Sequence, residues 1–199
     1  MTLKNTLRTL TLLTAAAALL QAGPLAGRRV PSFALPDVQA KYHDILDLRG
    51  KVVLIDVMQT NCAHCQEVTE RLEKIESQYG DRIAILAIVV PPDNADTVKQ
   101  FIGRFRVRYP ILFDCGQATA ALLQVTPQHP RVNFPNLLLV DGKGMIREDY
   151  TWTADEATLT GKGLTDKIDA LLAGTPKPAA RKAAAPAAKP AAKLSTTKN

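Results

Sequence analysis

Of the side chains that commonly hold metals or carry redox chemistry, this 199-residue chain has few: three cysteines and three histidines. A zinc site needs about four ligands, most often from two paired motifs. Only Cys62 and Cys65 are paired; Cys115, His43, His64 and His129 are scattered, which argues against zinc. Acidic residues are missing from residues 1–22, which contain Lys4 and Arg8, and from residues 174–199, which contain Lys177, Arg181, Lys182, Lys189, Lys193 and Lys198. Those last six account for the whole formal excess of +6, so the stretch between the two ends is mildly acidic. The folded part therefore lacks the basic footprint that a nucleic-acid partner requires. No apolar run reaches the roughly 20 residues of a confident membrane span. No cysteine follows the N-terminal apolar run, so a lipid-linked N-terminus is not expected, and no internal repeat is visible.

What the chain does have is a clear order of segments. Lys4 and Arg8 precede an apolar run from Leu10 to Leu20, which ends in Gln21-Ala22-Gly23-Pro24. This basic, apolar, small-residue sequence predicts a signal peptide over residues 1–22 cut after Ala22, with an uncleaved anchor as the alternative. Export to the bacterial periplasm or cell envelope follows, a setting in which disulfides form and persist. Residues 23–29 read as a linker and residues 30–173 as one domain with a sizeable core. From Gly174 to Asn199 the chain is nearly all Ala, Pro and Lys, too poor in large apolar side chains to offset the entropy of ordering. A disordered tail is predicted, acting as a solvated tether or as a contact to anionic envelope surfaces.

Within the domain, apolar runs alternate with helical patterns, which implies an α/β fold around a central sheet. Val52 to Val57 reads as a strand buried on both faces, interrupted only by Asp56. Cys65, Val68, Leu72, Ile75 and Tyr79 share one face of a helix that Gly80-Asp81 ends. Ile83 to Val90 is a second buried strand closed by Pro91-Pro92, and Asp93 or Asn94 caps a helix carrying Val98, Phe101, Ile102 and Phe105. A short strand at residues 111–113, a helix near 117–123 and a strand at 137–140 follow. Asp141-Gly142-Lys143-Gly144 is a hairpin turn to a strand with Ile146, Glu148, Tyr150 and Trp152 on one face, and a helix near 164–172 closes the domain.

The chemistry centres on Cys62-Ala63-His64-Cys65, which falls between the first buried strand and its helix. Cys62 there meets the helix's unpaired N–H groups and dipole, which favour a thiolate, while Cys65 lies nearly one turn on and faces the core. Cys62 can attack a disulfide and Cys65 can resolve the product. A purely structural disulfide over so short a loop would constrain the unfolded chain little.

The strand Lys51-Val-Val-Leu-Ile-Asp56, the motif Cys62-Ala-His-Cys65 and the later Phe134-Pro135-Asn136-Leu-Leu-Leu-Val-Asp-Gly-Lys-Gly144 resemble the thioredoxin superfamily. The lead-in Pro31-Ser-Phe-Ala-Leu-Pro-Asp37 and Leu46-Asp-Leu-Arg-Gly-Lys51 resemble its exported TlpA-like and redoxin branch. The resemblance covers about residues 30–173 and implies a thioredoxin-like fold, a central mixed β-sheet flanked by helices, and thiol-disulfide oxidoreductase activity without a bound organic cofactor or metal. It implies a cis Pro135 that, with Phe134 and Ala63, docks extended client chains; Asp56 as a buried acid relaying a proton from Cys65; and His64 as a positive influence on the Cys62 thiolate. Clients would be exported proteins with cysteines or disulfides, coupled to a membrane electron donor or acceptor. Asn61, Met58, Glu70 and Phe134 depart from the family's usual residues, which puts partner specificity in question while leaving the cysteine pair intact.

Two other functions fit parts of the pattern. A thiol peroxidase of the redoxin type is one, although Met58 to Cys65 contains Thr60 but none of the proline such sites resemble one another in having. The other is a Cu(I) carrier using Cys62 and Cys65 with His64 or Met58, since thiolate and thioether ligands suit that ion. Cys115 is expected as a partly buried thiol or as a third redox cysteine, and His129 as a loop residue.

Overall fold

The computed structural model describes residues 24–151 and 162–174. Residues 1–22, expected as a signal peptide, Trp152 and the Ala/Pro/Lys-rich stretch beyond Gly174, expected as a disordered tail, lie outside the described residues. Among the described residues, a five-stranded mixed sheet runs in the order β5-β4-β3-β6-β7. Its strands are β3 (Val52–Met58), β4 (Ile83–Val89), β5 (Ile111–Phe113), β6 (Asn136–Val140) and β7 (Ile146–Thr151). β3, β4 and β5 are parallel, whereas β6 and β7 run antiparallel to their neighbours. The helices are α1 (Ala63–Tyr79), α2 (Ala95–Phe105), α3 (Gln117–Leu123) and α4 (Lys162–Gly174).

β3 is buried at all seven positions, as a β-branched run at the centre of a covered sheet should be. Its alternate residues feed two cores. Val52, Leu54 and Met58 pack with Cys65, Val68 and Leu72 of α1, Val98 and Phe101 of α2, and Leu164 and Ile168 of α4. Val53, Ile55 and Val57 face the other way, against Leu25, Phe33, Ile45 and Leu122. Asp56 therefore sits on the α1 side of the sheet, between Leu54 and Met58.

The helix ends follow local chemistry. Asn94 caps α2 by accepting from the Asp96 and Thr97 amides, and Thr97 Oγ1 accepts from the Asn94 amide. Gly80, at φ +51°, ends α1. The turn between β6 and β7 closes with the Gly144 amide on the Asp141 carbonyl, while Asp141 Oδ1 takes the amides of Lys143 and Met145.

Two features differ from the sequence reading. Residues 24–29, expected as a linker, run along β7: the Leu25 amide donates to Asp149 Oδ2 at 2.7 Å and the Gly27 amide to the Ile146 carbonyl at 2.8 Å. Leu25 is buried in the second core, which gives the segment a reason to dock. Residues 34–44 form a small hairpin, β1 (Ala34–Pro36) with β2 (Tyr42–Asp44), where no strand was expected. These strands are three residues long and fall below the length at which alternation is legible.

Candidate active site

The site is built at the end of the sheet's two central neighbours, where β3 finishes and β6 begins. Antiparallel pairing sets Val57 opposite Asn136, so the two residues that precede β6, Phe134 and Pro135, lie beside the residues that follow β3. The Phe134–Pro135 peptide is cis and Pro135 is buried.

Cys62 is the N-cap residue of α1, with extended backbone. Its Sγ accepts the Cys65 amide at 3.3 Å and lies 3.8 Å from the Phe134 carbonyl oxygen. Cys62 is partly exposed, Cys65 is buried, and both are free thiols. A sulfur at this position meets a helix N-terminus with unpaired donors, which is where an anionic sulfur is stabilised.

Beneath the pair, Asp56 is fully buried, and neither carboxylate oxygen has a hydrogen-bond partner among the described residues. Burial alone pushes its pKa up to about 8. Burial likewise raises the Cys65 thiol, helped by its hydrogen bond with Cys62 and by the Asp56 charge, and opposed by a bond from the Gln59 backbone. The structure thus brings together Cys62, Cys65, Asp56, Phe134 and Pro135. Ala63 and His64 are exposed on the first turn of α1, and His64 Nδ1 is 3.7 Å from Glu67 Oε2.

Several residues around the pair were not singled out for the site from sequence. Tyr109 is buried in the same core; burial raises its pKa first and the Asp56 charge second, which places its hydroxyl within electrostatic reach of that carboxyl. Asp93, read only as a possible cap, instead binds the loop before Cys62, as does Gln66. Nothing local in sequence signals these contacts, because they join residues 33 and 6 positions apart through the fold. Cys115 is exposed, a correction to the expected partial burial, because it follows β5 at the sheet's edge. Met58 is fully buried in the core. Among the described residues no group of three or more His, Cys, Asp or Glu is placed to hold a metal ion.

The AhpC/TSA family profile matches residues 26–149, more than half of the chain. The chain belongs to the AhpC/TSA family. This AhpC/TSA member is 24% identical over 145 residues to the thioredoxin-like protein YneN of Bacillus subtilis, covering 72% of this chain and 78% of that one. It is 24% identical over 136 residues to the thiol-disulfide oxidoreductase ResA of Bacillus anthracis, covering 68% and 75%. Among solved structures it resembles the thioredoxin domain of a thiol-disulfide oxidoreductase from Bacteroides vulgatus, with a TM-score of 0.61 at 19% identity, covering 75% of this chain and 99% of that one. A thiol:disulfide interchange protein from Chlorobium tepidum gives a TM-score of 0.62 at 15% identity, with the same coverage. The fold of this AhpC/TSA member is thioredoxin-like, and the expected placement in the TlpA-like branch of the superfamily agrees with these relatives.

Proposed function

We propose that this protein is an exported thiol-disulfide oxidoreductase that exchanges disulfides with the cysteines of client proteins through Cys62. The observation that carries the reading is the asymmetry of the pair: Cys62 is partly exposed at the N-terminus of α1, while Cys65 is buried on the Asp56 side. The Cys62 thiolate attacks one sulfur of a client disulfide, forming a mixed disulfide and releasing the other client sulfur as a thiolate. In the molecules whose Asp56 is ionised, a fraction that grows as pH rises toward about 8, Cys65 then gives its proton to the Asp56 carboxylate and attacks Cys62 Sγ. That step releases the second client thiol, and two electrons have passed to the client as the Cys62–Cys65 disulfide forms. In reverse the same steps oxidise a client dithiol. Phe134, Pro135 and Ala63 would line the client strand beside Cys62, and protonated His64 would add to the charge that favours the thiolate. The activity of the named relatives supports the general class, and the N-terminal segment supports export.

Clients would be exported proteins with cysteines or disulfides, and a membrane donor or acceptor would reset the pair. The basic tail would contact anionic envelope surfaces. Cys62→Ala is expected to abolish insulin reduction and dithiol oxidation, and Cys65→Ala to accumulate mixed disulfides visible on non-reducing gels. Retained turnover in Cys62→Ala would overturn the assignment. Peroxidase and Cu(I) readings have less behind them: the Thr60 hydroxyl is bound to Asp93, and the Met58 thioether is closed inside the core.

A further inference from the structure

Cys62 ends a four-residue turn, Gln59 to Cys62, in which its amide donates to the Gln59 carbonyl at 3.2 Å. Thr60, in the middle of that turn, is tied at every polar atom it has. Its amide donates to Asp93 Oδ2 at 3.0 Å, its hydroxyl donates to Asp93 Oδ1, and its carbonyl accepts from Gln66 Nε2 at 3.0 Å. Thr97 Oγ1 also donates to Asp93 Oδ1, at 2.9 Å. A carboxylate has acceptor sites for about four donors, so one side chain can take all three. An amide in its place would offer a single acceptor oxygen.

Asp93 is not spent on capping its own helix, because Asn94 does that. It sits between the cis Pro91–Pro92 peptide and α2, and reaches across to the loop of another strand. We propose that Asp93 is a positioning residue: by holding the Thr60 amide and hydroxyl, its carboxylate fixes the turn that sets Cys62 Sγ against the Cys65 amide at the N-terminus of α1. This rests on the proposed function, which makes Cys62 the attacking sulfur.

The consequence has a sign. With the clamp gone, Cys62 Sγ loses its fixed place at the helix N-terminus, so the anionic sulfur is less stabilised. The dithiol form is disfavoured relative to the disulfide, which needs no such support. Loss of a nearby negative charge alone would act the other way, favouring the thiolate and the dithiol form.

The experiment is equilibration of the full chain with reduced and oxidised glutathione. Asp93→Ala is expected to shift the Cys62–Cys65 equilibrium roughly tenfold toward the disulfide, which is about 30 mV for a two-electron couple. Thr60→Val keeps the amide bond and changes no charge; it should shift the equilibrium about threefold in the same direction, and Thr60→Ser should restore the parent value. An unchanged constant in both variants, or a shift toward the dithiol, overturns the proposal even if thermal stability falls. Should Asp93→Ala fail to fold, Thr60→Val decides alone. Should the parent form no Cys62–Cys65 disulfide with glutathione, the proposed function fails instead. The clamp is then read from the iodoacetamide alkylation rate of Cys62 at pH 7, which a roughly threefold fall in Thr60→Val supports and an equal rate overturns.

Discussion

Asp56 shows how one residue links stability to the chemistry of the pair. A carboxyl with no solvent and no hydrogen-bond partner among the described residues binds its proton more tightly than it does in the unfolded chain, where the ordinary value is 3.8. Between that value and about 8 the folded state holds one more proton than the unfolded state, so stability falls with rising pH across this window. The contribution is fully present below the unfolded value and lost as pH rises through the folded one. At about 1.4 kcal/mol per unit the loss is on the order of several kcal/mol. Denaturant unfolding of the reduced protein at pH 5 and pH 9 should show this fall in the parent and a much flatter profile in Asp56→Asn. Equal slopes in the two proteins would remove Asp56 as the source.

The junction of β3, its loop and α1 is the element on which the site depends, and the start of α2 supports it from the side. The amides of Asp96 and Thr97 both depend on the Asn94 side chain, and Thr97 in turn shares Asp93 with Thr60. Asn94→Ala should lower the unfolding free energy by about 1 kcal/mol, the usual worth of such a cap, as read from the urea midpoint. No change in the midpoint would mean that Asp93 or water replaces the lost cap.

Across the whole molecule, the sheet is covered on both faces by segments far apart in sequence. α4 closes the α1 side: Leu164 and Ile168 enter the core, Lys167 Nζ meets Glu148 Oε1 at 2.5 Å, and the Tyr79 hydroxyl donates to the Thr165 carbonyl at 3.3 Å. The exposed end of the Lys167–Glu148 pair limits what it adds, so the apolar residues dominate. Ile168→Ala should lower stability by about 2–5 kcal/mol, with the urea midpoint falling at an unchanged slope. A loss below about 1 kcal/mol would show that α4 contributes little to the core.

Much of this was legible in the sequence because it is written in local periodicity. The continuous apolar run at β3, the three- and four-residue spacing of α1 and the Asp141–Gly144 turn depend on neighbours in the chain, so pattern alone placed them. The Cys62–Cys65 pair and its helix-end position were local in the same way. The short hairpin and the docking of residues 24–29 were not, since three-residue strands carry no period and Leu25 gains its reason only from a core assembled elsewhere. What the sequence determined by itself was the element order, the cysteine pair and the acid at Asp56. Only the tertiary structure decided that Asp56 has no hydrogen-bond partner among the described residues, that the Phe134 carbonyl stands beside Cys62, and that Asp93 holds Thr60, because each depends on strands or loops that meet only when the sheet closes.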